Sequence, residues 1–122
     1  METGNTIMLV EDDPSIRSVL RTLLELEGYK VIPLPQEHEM SNIIQSIRTA
    51  SPAILFLDVH LHEINGLDLL RELRRQSQPA LMPMRIIMSS GMDLKDACLA
   101  AGADDFLLKP FMPDELLSKL QG

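Results

Sequence analysis

Ile7-Met-Leu-Val-Glu-Asp-Asp-Pro14 passes from an apolar run through three acids to a proline. The run has no polar alternation, which is the pattern of a strand buried on both faces. Asp13 stands where a helix N-cap accepts backbone hydrogen bonds. Pro14 fits the first helical position, where its missing N–H matters little. Ile16, Val19, Leu20, Leu23 and Leu24 follow at three- and four-residue spacing, which predicts one inward helix face ended by Gly28. The stretch therefore reads as strand, acidic loop, helix.

The same unit returns along the chain. Further apolar runs are Val31-Ile-Pro-Leu34, Ala53-Ile-Leu-Phe-Leu57, Arg85-Ile-Ile-Met88 and Phe106-Leu-Leu108. Met40, Ile43, Ile44 and Ile47 make a second helical stripe, closed by Ser51-Pro52. A third helix follows Asn65-Gly66, with Leu69, Leu70 and Leu73 inward and Arg71, Arg74 and Arg75 outward. A weak pattern of small residues runs from Asp96 to Ala101, before Gly102. The last helix opens at Pro113-Asp-Glu115, acidic where the helix dipole favours anions, and carries Leu116, Leu117 and Leu120. Strand and helix alternating in this way predict an α/β fold with a central parallel sheet and right-handed crossovers. Residues 1–5 are expected to form a loose tail, and 6–122 one domain.

Composition narrows the function. The chain has 122 residues, 45% hydrophobic and 24% charged, an ordinary globular balance for one domain. No apolar run approaches the ~18 residues that span a bilayer. Met1 to Thr6 lacks the basic-then-apolar order of a secretory signal. Net charge is −7, from 11 basic and 18 acidic residues, which disfavours direct nucleic-acid binding. Aromatics are 3% with no Trp, so a base-stacking platform is not expected. The single Cys98 excludes an internal disulfide and agrees with a reducing cytoplasm. The eight Met residues read mostly as core filler.

In open α/β sheets ligands bind beyond the carboxyl ends of the strands. Those ends carry Glu11, Asp12 and Asp13 after the first run and Asp58 after the third. Ser89, Ser90 and Gly91 follow the fourth, and Lys109-Pro110 the fifth. Glu11, Asp12 and Asp58 would converge, and close anions repel. A hard cation such as Mg2+ resolves this with oxygen ligands, a few carboxylates and a phosphate. Lys109 would neutralise a phosphoryl group as a point charge and Ser90 would hydrogen-bond it. Asp58 can be the nucleophile, as carboxylates are in aspartyl-phosphate chemistry. Without the cation the crowded acids are expected to strain the fold, so that Mg2+ raises Tm and Asp58→Ala stabilises.

Each piece also has a plain structural reading. The acids could cap a helix, Asp58 could close a turn, Ser89-Ser90-Gly91 could be a loop, and Lys109 a surface lysine. Together those readings need four unrelated coincidences at four strand ends. His38 and His62 read as surface residues, and a zinc site from His60 and His62 lacks further ligands.

The constellation resembles the receiver domain of bacterial two-component response regulators, and is similar to single-domain chemotaxis-type receivers. The matching segments are Ile7-Met-Leu-Val-Glu-Asp-Asp13, Leu57-Asp-Val-His-Leu61 with Gly66-Leu67, Ile87-Met-Ser-Ser-Gly91 and Ala101-Gly-Ala-Asp-Asp-Phe-Leu-Leu-Lys-Pro-Phe111. The resemblance implies a flavodoxin-like, doubly wound five-stranded parallel sheet, order 2-1-3-4-5, flanked by five helices. It implies Asp58 as phosphoacceptor. Asp12 would be a direct Mg2+ ligand, Glu11 would act through metal-bound water, and the His60 main-chain carbonyl would be a further ligand; Mn2+ is an admissible substitute. It assigns Ser90 and Lys109 to the phosphoryl group, and Phe106 to a switch on the face of helix four, strand five and helix five. That aromatic would turn inward as Ser90 moves toward the phosphoryl oxygens.

The resemblance also implies partners. These are a histidine kinase or histidine phosphotransfer protein as donor, an output domain or downstream protein on the switch face, and a homodimer formed on phosphorylation as an option. Nucleic acid and membrane are not expected partners. The domain would phosphorylate and dephosphorylate itself without being a turnover enzyme. It is either a stand-alone receiver or a piece of a larger regulator or hybrid kinase; the early stop of the last helix favours a piece. The alternatives are an aspartate-nucleophile, Mg2+-dependent small-molecule phosphatase and a phosphate-independent interaction module. The chain departs from the family at His62, often a Pro, and at Pro33-Leu-Pro35 after strand two. The resemblance also implies that two variable positions flank the path of a hydrolytic water, here His60 and Met92. Met92 cannot orient water and is expected to shield the phosphoryl group, giving a long-lived phosphorylated state.

Overall fold

The computed structural model describes residues 6–32, 39–62, 64–75 and 84–121. Strands are β1 (Thr6–Val10), β2 (Lys30–Ile32), β3 (Ile54–Asp58), β4 (Arg85–Ser90) and β5 (Asp105–Leu108). Helices are α1 (Pro14–Leu26), α2 (Met40–Ala50), α3 (Gly66–Arg75), α4 (Lys95–Ala100) and α5 (Pro113–Gln121). The strands form one parallel sheet in the order β2-β1-β3-β4-β5.

Alternating side chains send each strand's residues into two apolar layers. One layer gathers Met8, Val10, Leu55, Leu57, Ile86 and Met88 with residues of α2, α3 and α4. The other gathers Ile7, Leu9, Ile54, Phe56 and Ile87 with Leu20, Leu24, Leu116 and Leu120 of α1 and α5. Both faces of β1, β3 and β4 are thus dry, which explains runs without polar alternation. Each fully buried Leu or Ile contributes about 1.5–3 kcal/mol.

Helix starts follow local chemistry. Asp13 accepts from Ser15 N at 2.8 Å and Ile16 N at 3.2 Å. Asn65 caps α3 by accepting from Leu67 N at 2.8 Å and Asp68 N at 3.3 Å. Gly28, at φ 93°, turns the chain from α1 into β2. Arg85, at the foot of β4, donates to the carbonyls of Lys119 and Leu120 at 2.7 and 2.9 Å and closes the last turn of α5.

Several expectations need correction. Ser89 and Ser90 are not loop residues; they close β4, because Ser89 pairs with Asp58 across the ladder and Ser90 with Leu108. Backbone pairing continues there beyond the end of the apolar pattern. In α1 only Leu20 and Leu24 are buried and Leu23 half-buried, while Ile16 is exposed and Val19 is 67% exposed. The helix meets the sheet along one narrow row, so the wider stripe extends past the contact. The methionines divide: Met8 and Met88 are core, whereas Met92 and Met112 are exposed. The expected continuation of β2 through Pro33 and Leu34, and His38, lie outside the described residues. His62 is exposed.

Candidate functional site

At the carboxyl edge of the sheet, β1, β3, β4 and β5 end side by side. Val10 pairs with Leu57, which sets Glu11 beside Asp58. Both carboxylates are buried. Lys109 reaches between them: its Nζ donates to Glu11 Oε1 at 2.9 Å and to Asp58 Oδ2 at 3.0 Å. Burial opposes the charge on this ammonium, but hydrogen bonds to Glu11 and Asp58 and their attraction prevail, holding its pKa above the usual lysine value. Two buried carboxylates are tolerable here because one cation serves both.

Lys109 is itself fixed by its surroundings. Its N–H donates to the Ser90 carbonyl at 2.8 Å, and the following bond to Pro110 is cis. Phe111 then packs edge-on against Phe56, ring centroids 5.9 Å apart at 61°. This aromatic pair anchors the β5–α5 loop to the core and sets where the lysine begins.

The acid triplet has three separate tasks. Glu11 binds Lys109 and also accepts from Asp13 N at 3.1 Å. Asp13 caps α1. Asp12 faces the β3–α3 loop, where its Oδ2 accepts from His62 N and lies 3.6 Å from His62 Nδ1. The expected unrelieved crowding of Glu11, Asp12 and Asp58 is therefore not present. Lys109 pairs two of them and the loop satisfies the third. Among the described residues no three His, Cys, Asp or Glu side chains are close enough to hold a metal by themselves. Asp12 and Asp58 offer carboxylate oxygens, the donor type a hard cation takes when it keeps water and uses few carboxylates.

The opposite side of the edge is neutral. Ser90 is buried, and its Oγ accepts from Met92 N at 2.9 Å and lies 3.1 Å from His60 Nε2. His60 N in turn points at Asp58 Oδ1, 3.4 Å away. So the His60 ring turns toward the serine although the residue is exposed. Met92 enters through its backbone N–H; it is 59% exposed. Ser89 is also buried, yet among the described residues its Oγ has no hydrogen-bond partner. The two serines differ because they alternate: Ser89 follows Ile87 and Ser90 follows Met88 onto opposite faces of the sheet. Phe106 is already inward, 7% exposed and packed with Met88 and Cys98, whereas an outward resting position was expected.

Two functional contacts escape the sequence reading. Gly66 lies on the backbone of the acceptor strand: a Cβ there would collide with the Asp58 carbonyl oxygen and come 2.8 Å from Val59 Cα. Its N–H donates to the Val59 carbonyl at 2.7 Å. The Asn65-Gly66 pair signals a helix start, but not this approach. The second is the His62 backbone on Asp12, which no side-chain pattern announces.

A parallel sheet in this order, with an acid pair, a central aspartate, a hydroxyl and a lysine at successive strand ends, defines the CheY-like class of signalling domains. The chain belongs to the response regulator receiver domain family, whose model matches residues 7–121. It is similar to the transcriptional regulatory protein CpxR of Escherichia coli K12, with 35% identity over 96% of this chain and 48% of that protein. Among solved structures it resembles the BeF3-activated receiver domain of Klebsiella pneumoniae RstA, with 28% identity, TM-score 0.80 and 96% of each chain covered. It also resembles the receiver domain of sensor histidine kinase PA1611 from Pseudomonas aeruginosa, which has a magnesium ion coordinated in its active site cleft. There the identity is 30% and the TM-score 0.79, covering 97% of this chain and 95% of that one. The chain spans about half the length of the curated relatives it matches. It is a receiver domain of the two-component type, and the phosphatase alternative is not favoured. Among the described residues no helix is long and apolar enough to cross a membrane.

Proposed function

We propose that Asp58 accepts a phosphoryl group from a phosphohistidine on a histidine kinase or histidine phosphotransfer protein. A carboxylate oxygen of Asp58 bonds to phosphorus while the phosphorus–nitrogen bond breaks. The leaving imidazole keeps the electron pair and takes a proton from water. The observation that carries this reading is the shared lysine: Lys109 lies 3.0 Å from Asp58 Oδ2, placed to follow charge onto a new phosphoryl oxygen. Ser90 supplies a neutral donor on the other side of Asp58.

Mg2+, with Mn2+ as a substitute, would neutralise phosphoryl charge when bound. Asp12, Asp58 and the His60 main-chain carbonyl would hold it, with Glu11 acting through bound water. The exposed row Ile16, Val19 and Leu26 on α1 begins beside the acids and offers the donor an apolar docking face. The output partner, or a second copy on phosphorylation, would read the α4–β5–α5 face, where Leu99 and Leu108 are exposed. Hydrolysis of the aspartyl phosphate by water would reset the domain in a cytoplasmic setting. Met92, through its flexible side chain, and His60 flank that water path and would set the lifetime.

Intact-mass measurement after treatment with acetyl phosphate and Mg2+ tests the reading. One phosphoryl adduct is expected in the wild type, and none in Asp58→Asn or in excess EDTA. An unchanged adduct in Asp58→Asn would sink the proposal.

A further inference from the structure

Ser90 has one hydroxyl hydrogen and two acceptor lone pairs. The Met92 N–H, 2.9 Å away, can only donate to Oγ. The hydrogen must therefore point elsewhere, and the acceptor within reach is His60 Nε2 at 3.1 Å. A donating Nε2 would leave the hydrogen of a fully buried hydroxyl without an acceptor among the described residues. With Nε2 accepting, the ring's other nitrogen can carry its proton on the exposed side of His60. The arrangement that satisfies every group is Met92 N–H to Ser90 Oγ, and Ser90 O–H to His60 Nε2.

We infer that the His60 imidazole is a positioning residue that holds the Ser90 hydroxyl in the unmodified domain and competes with a phosphoryl group for its single hydrogen. This rests on the phosphoacceptor reading and adds a determinant to it. A phosphoryl group on Asp58 carries acceptor oxygens, so its bond with Ser90 requires the serine to donate. That hydrogen cannot serve His60 at the same time. His60 therefore sets how strongly the hydroxyl follows modification, through its ring and independently of its main-chain carbonyl. Removing the acceptor nitrogen frees the serine at no cost to Asp58, Lys109 or Asp12.

The test is titration of the domain with beryllofluoride in Mg2+, read by the amide signals of Ser90 and Met92. His60→Phe keeps a ring and removes both nitrogens; His60→Ala serves the same purpose should the larger ring disturb the loop. Either should tighten beryllofluoride about threefold to tenfold, the range of one neutral hydrogen bond. In a Ser90→Ala background the same substitution should change nothing, because the competitor is already gone. The midpoint for Mg2+ alone should stay at its wild-type value. Weaker binding, no change, or equal tightening with and without the serine overturns the inference. A wild-type domain that ignores beryllofluoride, or an Asp58→Asn variant that binds it equally, overturns the phosphoacceptor reading instead.

Discussion

The two halves of the sheet edge are built from different physics. On one side the buried carboxylates of Glu11 and Asp58 are joined to the half-buried Lys109 by charge-assisted bonds of 2.9 and 3.0 Å. On the other side His60, Ser90 and Met92 are joined by neutral bonds of 2.9 and 3.1 Å. Charge-assisted bonds are roughly twice as strong as neutral ones. The net worth of a neutral bond is about 1 kcal/mol, small enough for a ligand to exchange it. The difference teaches where a phosphoryl group can provoke motion. The charged half must persist to hold it, whereas the hydroxyl half can trade one partner for another.

Gly66 should break this comparison outright, because it supports both halves. A Cβ would strike the Asp58 carbonyl and sit 2.8 Å from Val59 Cα, and neither backbone atom can yield without moving the strand end. Gly66→Ala should cost roughly 3–5 kcal/mol, the exceptional end of single substitutions. Urea denaturation measures it. A cost under about 1 kcal/mol would show that α3 does not rest on the acceptor backbone as described.

Lys109→Met should damage the charged half selectively. It leaves Glu11 and Asp58 buried without their shared cation. The lysine side chain is 22% exposed, so the cost should be about 3 kcal/mol, the lower end for a broken buried pair. The amide signals of Ser90 and Met92 should keep their wild-type positions, since the hydroxyl half does not use the ammonium. A shift at Met92 as large as that at Glu11 would mean that the halves are one network. The same pairing revises what removing Asp58 does. Asp58→Ala gives up a bond to Lys109 as well as a repulsion, so the marked stabilisation expected from crowded acids should not appear.

A pH scan sharpens the contrast. Lys109 titrates above its ordinary value of 10.5 in the fold, because its two carboxylate partners outweigh burial. A raised lysine pKa contributes stability that is fully present below the unfolded value and lost as pH rises through the folded one. The stability gap between wild type and Lys109→Met should therefore be constant near neutrality and close above pH 10.5. Denaturation midpoints between about pH 9 and 12 give the curve. A gap that closes below that range would assign the stabilisation to another group.

Much of this was legible in the chain because parallel strands announce themselves. Leu55, Phe56 and Leu57 are all buried, so the run has no polar face to confuse it with a surface strand. Once the strands were placed, Glu11, Asp58, Ser90 and Lys109 had to share an edge. What could not be read depends on directions and distances that residue type does not encode. Asp13 reads as a helix cap, but Glu11 and Asp12 look alike in sequence, yet one turns to a lysine and the other to a loop. Ile16 and Val19 fit an inward stripe, yet they face out because α1 meets the sheet only along the row of Leu20 and Leu24, with Leu23 at its margin. Phe106 has room to lie inward beside Met88, which no pattern of spacing reveals.

The smallest expected effect separates the two serines, and it closes the comparison. Ser89 and Ser90 are both fully buried and adjacent, so a reading by composition would treat them as equivalent. Their alternation places them on opposite faces, and only Ser90 finds partners among the described residues. A buried hydroxyl without a partner costs desolvation and returns nothing, so removing it is close to neutral or favourable. Ser89→Ala should therefore change stability by no more than about 0.5 kcal/mol, in either direction. Ser90→Ala should cost about 1 kcal/mol, since it removes the acceptor of Met92 N and the donor of His60. Ser89→Ala should also leave the beryllofluoride midpoint unchanged, while Ser90→Ala weakens it. If Ser89→Ala proves as costly as Ser90→Ala, the hydroxyl of Ser89 has a partner, and the charged half of the edge would acquire a neutral member on the face it shares with Ile87.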